Sequence, residues 1–294
     1  VLAGTILGWI EHYAEAGIPL RVGIGSSNYN AIDNVLNEVL ELINRRTATV
    51  GALACPVRVT RVRSDSSAPP LSDQIEDMPR TSARAQGFVN ALKGDDTGII
   101  IVGGTWQQLG RLAEKDHQDS EPTAEWFDLL VIDEASQVQV AAAAAYFLLL
   151  KSDGHVVLAG DDRQLGPIYG FQMKDSVQGL FDCIFSYMKE THGITPVQLK
   201  HNYRTNVEIS AWPCKRFYKN EYEAFFPERK LDLAINIDGR PADWPEQLPW
   251  SDEFLRILDP ACPVVVISYS ANTYTLSNPF EAQIVSALTL LYKK

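Results

Sequence analysis

Apolar positions along the first two-thirds of the chain follow two alternating patterns. Leu2, Ile6, Trp9, Ile10 and Tyr13 recur at three- and four-residue steps, which marks one face of a helix. Gly17-Ile18-Pro19 ends that helix, and Leu20 to Ile24 reads as a buried strand. A helix from about Ala31 to Arg45 leads to strand-like Val57 to Val62, and Ser64 to Pro79 reads as an irregular excursion rich in Ser, Pro and Asp. A helical stretch near Ala83 to Leu92 precedes the apolar strand Ile99 to Val102. An acidic loop, Glu114 to Glu125, precedes the strand Leu129 to Ile132. The helix Val138 to Leu150 and the strand Val156 to Ala159 complete the series. Continuous apolar strands separated by helices predict an α/β fold with a parallel sheet covered on both faces.

The texture changes near Thr195-Pro196. Val197 to Leu199 and Val264 to Ile267 read as two further strands, and the last helix, Phe280 to Tyr292, has no strand after it. Two domains are expected, residues 1–195 and 196–294, the second cut short. The first residue, Val1, falls inside an apparent helix, so the chain reads as a fragment of a longer protein.

Composition narrows the function classes. With 46% hydrophobic and 21% charged residues, the chain has material for a packed core, which excludes disordered and collagen-like classes. The longest apolar run, Val138 to Leu150, is interrupted by Gln139 and is too short to span a bilayer, and no secretory signal opens the chain, so no membrane partner is expected. The four cysteines form no CxxC pair and no two histidines have HxxxH spacing, which argues against a protein-built zinc site. Scattered thiols fit a reducing, intracellular setting, cytoplasmic or nuclear. The net charge of −11 argues against a protein that coats nucleic acid electrostatically.

Two segments carry candidate chemistry. In Leu129-Leu130-Val131-Ile132-Asp133-Glu134, four apolar residues end in two carboxylates, at the strand edge where α/β sheets bind ligands. A nucleotide triphosphatase needs one carboxylate for the magnesium shell and another for the attacking water. Two acids at a helix N-terminus also suit simple capping. The next strand runs into Gly160-Asp161-Asp162-Arg163-Gln164-Leu165-Gly166-Pro167, where Gln164 can donate to a phosphate oxygen or accept from a water. Gly-Asp-Asp alone suits an ordinary turn, but such loops on successive strands point to a shared site.

VIDEASQ, VVLAGDDRQLGPI and VQLKHNYRTNVEIS resemble, in order and approximate spacing, motifs II, III and IV of superfamily 1 helicases. The resemblance is to the branch that contains the nonsense-mediated-decay helicase and its DNA-processing relatives. It implies a RecA-like parallel sheet flanked by helices, the start of a second RecA-like domain, and an ATP-hydrolysing helicase that uses ATP and Mg2+. By that resemblance Asp133 holds magnesium through its water shell and Glu134 is the base toward the hydrolytic water. Gln164 contacts the γ-phosphate, and Arg204 offers it a permanent positive charge. Tyr203 is expected to pack. Gly25-Ser26-Ser27-Asn28 matches motif Ia and Gly103-Gly104-Thr105 the next strand-contacting motif, so Ser26, Ser27, Asn28 and Thr105 are implied contacts to single-stranded nucleic acid, DNA or RNA. Ser and Asn there equally suit a helix cap. Trp106 is suited either to stacking on a base or to packing.

No phosphate loop, G-x-x-x-x-G-K-[ST], occurs in the chain, and by the resemblance it is expected upstream of Val1. A non-catalytic nucleic-acid-binding or interaction module that retains the fold is the alternative. Resolved along the chain, excess acid sits in loops, whereas Lys200, Arg204, Lys215, Arg216 and Lys219 form one basic stretch and Arg45, Arg46, Arg58, Arg61 and Arg63 another. That distribution leaves room for nucleic-acid contact confined to a channel.

Overall fold

The computed structural model describes residues 1–64, 70–79, 82–94, 98–114, 124–167, 182–230, 239–270 and 277–293. The chain divides into two units, Val1–Pro196 and Val197–Lys294.

The first unit is built on six parallel strands, β1 (Leu20–Gly25), β2 (Val57–Arg63), β3 (Ile75–Pro79), β4 (Ile99–Gly103), β5 (Phe127–Ile132) and β6 (Leu150–Leu158), in the order β3-β2-β4-β1-β5-β6. This is the expected parallel α/β sheet flanked by helices. Because side chains alternate along a strand, each central strand feeds two cores. Ile99 and Ile101 join Leu20, Val22, Ile24, Leu129 and Val131 against α1 (Leu2–Ala16) and α2 (Tyr29–Val50). Ile100 and Val102 join Leu130 and Ile132 against α3 (Ala85–Lys93), α4 (Trp106–Ala113) and α5 (Val140–Phe147). Gly17 ends α1 in the left-handed conformation, φ 66° and ψ 28°, as the Gly-Ile-Pro stop requires.

Two expectations for this unit are corrected. Ile75–Pro79 lies inside the supposed excursion yet forms edge strand β3, because Ile75 and Met78 bury while Glu76 and Asp77 face arginines of β2; residues 65–69 of that excursion lie outside the described residues. The helix expected over Val138 to Leu150 is confined to Val140–Phe147. Beyond it the Leu149 carbonyl accepts from the N–H groups of Trp126 and Phe127, at 2.8 and 2.9 Å, and β6 starts at Leu150. Most of the acidic loop, 115–123, lies outside the described residues.

In the second unit, Val197–Leu199 and Val264–Ile267 are irregular rather than strands, since no described segment pairs with them; Val266 is 85% exposed. A two-residue parallel ladder joins His201–Asn202 to Glu223–Ala224. Trp244, Phe254, Leu258, Ala287 and Leu291 form a small core that includes the final helix, Pro279–Lys293.

Candidate nucleotide and nucleic-acid site

The carboxylate pair lies at the C-terminal end of β5, as its sequence predicts. Backbone hydrogen bonds fix its place. Asp133 N–H donates to the Gly25 carbonyl at 2.9 Å, Ala159 N–H to the Ile132 carbonyl at 2.9 Å, and Ala135 N–H to the Ala159 carbonyl at 2.7 Å. The loops that follow β1, β5 and β6 are thereby stitched into one edge. Gly160 is required there, because a Cβ would come within 2.8 Å of the Ser136 backbone nitrogen.

Asp133 is half-buried, and burial raises its carboxyl above the ordinary range, while the Glu134 N–H, 3.0 Å from Oδ1, pulls it back. Glu134 holds the left-handed conformation, φ 50° and ψ 40°. For a non-glycine residue that conformation costs roughly 1–2 kcal/mol, and such strain clusters at functional sites. Its carboxylate is 3.5 Å from Gln137 Nε2, and Gln137 Oε1 accepts from Ser27 Oγ at 3.4 Å, a long polar bridge from the β5 loop to the β1 turn.

In the β6 loop, Gln164 is exposed and its amide donates to Asp161 Oδ2 at 3.1 Å. Asp161 Oδ1 also accepts the Arg163 N–H at 3.0 Å, so this aspartate organises the turn while leaving the glutamine at the surface. Asp162 pairs with Lys189. No group of three or more His, Cys, Asp or Glu side chains suited to a metal occurs among the described residues. A lone half-buried carboxylate suits magnesium that keeps its waters and shares its charge with phosphates. Arg204 lies in the second unit, exposed, with its N–H donating to Asn202 Oδ1 at 2.9 Å, and Tyr203 stacks on Phe225 at 4.2 Å.

The implied strand-contacting residues divide into two kinds. Ser27 and Asn28 are exposed, and Asn28 also caps α2, its Oδ1 accepting from Ala31 N–H at 3.0 Å. Ser26 and Thr105 are buried, and Ser26 Oγ has no hydrogen-bond partner among the described residues. They shape the turns from inside. Trp106, which opens α4, is 40% exposed, the one exposed Phe, Trp or Tyr among the described residues of the first unit.

The arginine-rich stretch of β2 is not a free positive surface. Arg61 is buried between Asp77 and Asp33, at 2.7 and 2.9 Å, and Arg58 binds Glu76 at 2.8 Å. Arg46 pairs with Glu11 and Arg45 with Glu41. These charges hold β3 and α2 in place. Sequence reading also passed over Arg21, buried within β1, whose guanidinium donates to the carbonyls of Gly98 and Gly94 at 2.6 and 2.9 Å. Only its charge within an apolar strand marked it.

Comparison with curated proteins finds similarity over part of the chain. It is 31% identical over 117 residues to an uncharacterized ATP-dependent helicase of Methanocaldococcus jannaschii, covering 40% of this chain and 17% of that protein. Over that stretch the chain is similar in sequence to an ATP-dependent helicase. It is also 27% identical over 124 residues to the ATP-dependent helicase NAM7 of Saccharomyces cerevisiae, covering 42% of this chain and 11% of that one. The chain thus spans less than a fifth of these relatives' lengths. No family model matches it. Among solved structures, a nuclease-deletion mutant of the Type ISP restriction-modification enzyme LlaGI, in complex with a DNA substrate mimic, aligns at 14% identity and TM-score 0.37, covering 74% of this chain and 19% of that one. Among the described residues, no helix is long and apolar enough to cross a membrane.

Proposed function

We propose that these residues form part of the motor core of a superfamily 1 helicase or translocase, which hydrolyses ATP with magnesium and moves on single-stranded DNA or RNA. In this reading the first unit is the RecA-like ATPase domain, and residues 196–294 begin a second RecA-like domain. The observation that carries the reading is Glu134, held in a strained conformation beside Asp133 on an edge laced to both neighbouring loops.

Bound MgATP supplies the phosphoryl group and the charge that Asp133 would hold through the ion's water shell. Glu134 takes the proton of the hydrolytic water on its carboxylate. Gln164 has an exposed amide for the γ-phosphate, and its link to Asp161 ties that contact to the β6 turn. Arg204 carries a guanidinium whose two donors match phosphate oxygens. Ser27 and Asn28 offer a hydroxyl and an amide to the strand's backbone, while Ser26 and Thr105 keep the turns in shape. Contacts of this kind carry no sequence preference.

The test is ATP hydrolysis by the full-length protein, with and without single-stranded nucleic acid, beside Glu134→Gln. The variant keeps shape and loses the base, so turnover falls by about 100-fold or more. Full activity in the variant, or none in the parent, overturns the assignment. A parent that binds strands without hydrolysis would support the non-catalytic module instead. The 294-residue chain, with no phosphate loop in its sequence, is the control and should show no turnover.

A further inference from the structure

Strands β1 and β4 are direct neighbours, paired from Leu20↔Ile99 to Ile24↔Gly103. The turns that leave them carry the implied strand contacts, Ser26 to Asn28 on one and Gly104 to Thr105 on the other. Gly104 N–H donates to the Ile24 carbonyl at 3.0 Å, which starts the two turns side by side. Beyond that point the turns are joined by a side chain from a third element.

Tyr146, near the end of α5, is fully buried. Its hydroxyl accepts from Ser26 N–H at 3.0 Å and lies 3.0 Å from the carbonyl oxygens of both Ser26 and Gly104. The Trp106 backbone N–H also acts on this oxygen. One phenol has one proton and two lone pairs, so this set uses its full capacity. A phenylalanine would fill the same apolar space without the cost of burying a hydroxyl, which is favourable only when its partners are met. The ring lies directly over Gly25, where a Cβ would come within 2.6 Å of Cζ. The hydroxyl therefore acts on the backbone of both turns.

We propose that Tyr146 is a positioning residue whose buried hydroxyl locks the Ser26–Asn28 and Gly104–Trp106 turns into one surface for a single nucleic-acid strand. This rests on the strand-binding reading above. Tyr146 itself touches no strand. It fixes the peptide planes of Ser26 and Gly104, and so the spacing between exposed Ser27 and Asn28 on one side and Trp106 on the other. It belongs to the helix that follows the Asp133-Glu134 loop, so the nucleotide and strand sides of the edge share this one anchor.

The test is equilibrium binding of a labelled single-stranded oligonucleotide (oligo-dT and oligo-U) by the 294-residue chain across a salt series, for wild type, Tyr146→Phe and Phe88→Leu. Phe88 lies in the same core and is the control for a purely structural loss. Tyr146→Phe is expected to bind about tenfold more weakly, with a slope of log K against log salt shallower by about 0.7 for each phosphate the protein no longer neutralises. Phe88→Leu should melt at a lower temperature and keep both affinity and slope. Equal affinity and slope in Tyr146→Phe and wild type overturns the role of Tyr146 and leaves the strand-binding reading standing. No binding by wild type to either oligonucleotide overturns the strand-binding reading, and this proposal with it. Should Tyr146→Phe not fold, hydrogen exchange of the wild type decides. A Ser26 amide protected like its β1 neighbours supports the lock, and exchange at unprotected loop rates overturns it.

Discussion

The peptide N–H of Asp133 donates to the carbonyl of Gly25, 2.9 Å away, so the acidic loop after β5 and the Ser-Ser-Asn turn after β1 share a backbone bond. The candidate magnesium ligand and the candidate strand contacts are thus fixed to each other by main chain. Any change that displaces Gly25 moves both.

Gly25→Ala is the direct case. Its Cβ would meet the Tyr146 ring at 2.6 and 2.7 Å, and that ring is hydrogen-bonded and packed on all sides. Overpacking of this kind costs about 1–3 kcal/mol. Urea unfolding of the chain should show a lower midpoint with an unchanged slope. A midpoint equal to wild type would mean that the tyrosine moves aside freely.

Arg21→Met should be more damaging than its place in a strand suggests. The guanidinium reaches the carbonyls of Ala91, Leu92, Gly94 and Gly98, at and beyond the C-terminal end of α3. Methionine would leave the buried Leu92 carbonyl without this partner and hand the part-buried carbonyls of Ala91, Gly94 and Gly98 to water, at a cost of about 1–3 kcal/mol. Arg21→Lys should recover only part of this, since one ammonium cannot copy the planar fork. Chemical denaturation of the two variants compares them directly.

Asp33 gives the chain a definite pH signature. Burial raises its carboxyl above the ordinary range, with Arg61 pulling it down and Asp77 adding to the rise. The folded state therefore holds this proton more tightly than the unfolded state. The stability from that proton is complete below the unfolded pKa and is lost as pH rises through the folded one. Asp33→Asn has no proton to lose, so its stability relative to wild type should rise with pH from about 4 upward and then level. Melting temperatures across the acid range measure this, and a falling difference would mean that the Arg61 pairing outweighs burial.

Trp106→Ala tests whether the exposed indole at the start of α4 meets a base. Stacking is worth about 1–3 kcal/mol per base, so binding of a single-stranded oligonucleotide should weaken by about 5- to 150-fold, and Trp106→Phe should retain part of it. Quenching of indole fluorescence on binding should be smaller in Trp106→Phe than in wild type. Unchanged binding in both variants would assign Trp106 to packing.

The pattern of apolar positions was enough to predict a parallel sheet, most of its strands and the edge on which Asp133, Glu134 and Gln164 sit. Those features are local: a buried strand must be continuously apolar, and the turn that leaves it must carry its own polar chemistry. Ile75–Pro79 was not legible as a strand, because Glu76 and Asp77 become tolerable there only through Arg58 and Arg61 on the neighbouring strand. For the same reason the β2 arginines, an open basic stretch in the sequence, proved to be paired. Helix propensity over Leu148 to Leu150 was overridden because Leu148 and Leu149 carbonyls accept from residues 124–127, more than twenty positions earlier. The exposure of Ser27 against the burial of Ser26, the strain at Glu134 and the reach of Tyr146 across two turns are likewise absent from any local pattern. The sequence by itself determined which chemical groups lie at the sheet edge, since strand and turn chemistry are written residue by residue. Only the tertiary structure decided which of them are held, paired or left open, because those states depend on partners that are distant in the chain and adjacent in space.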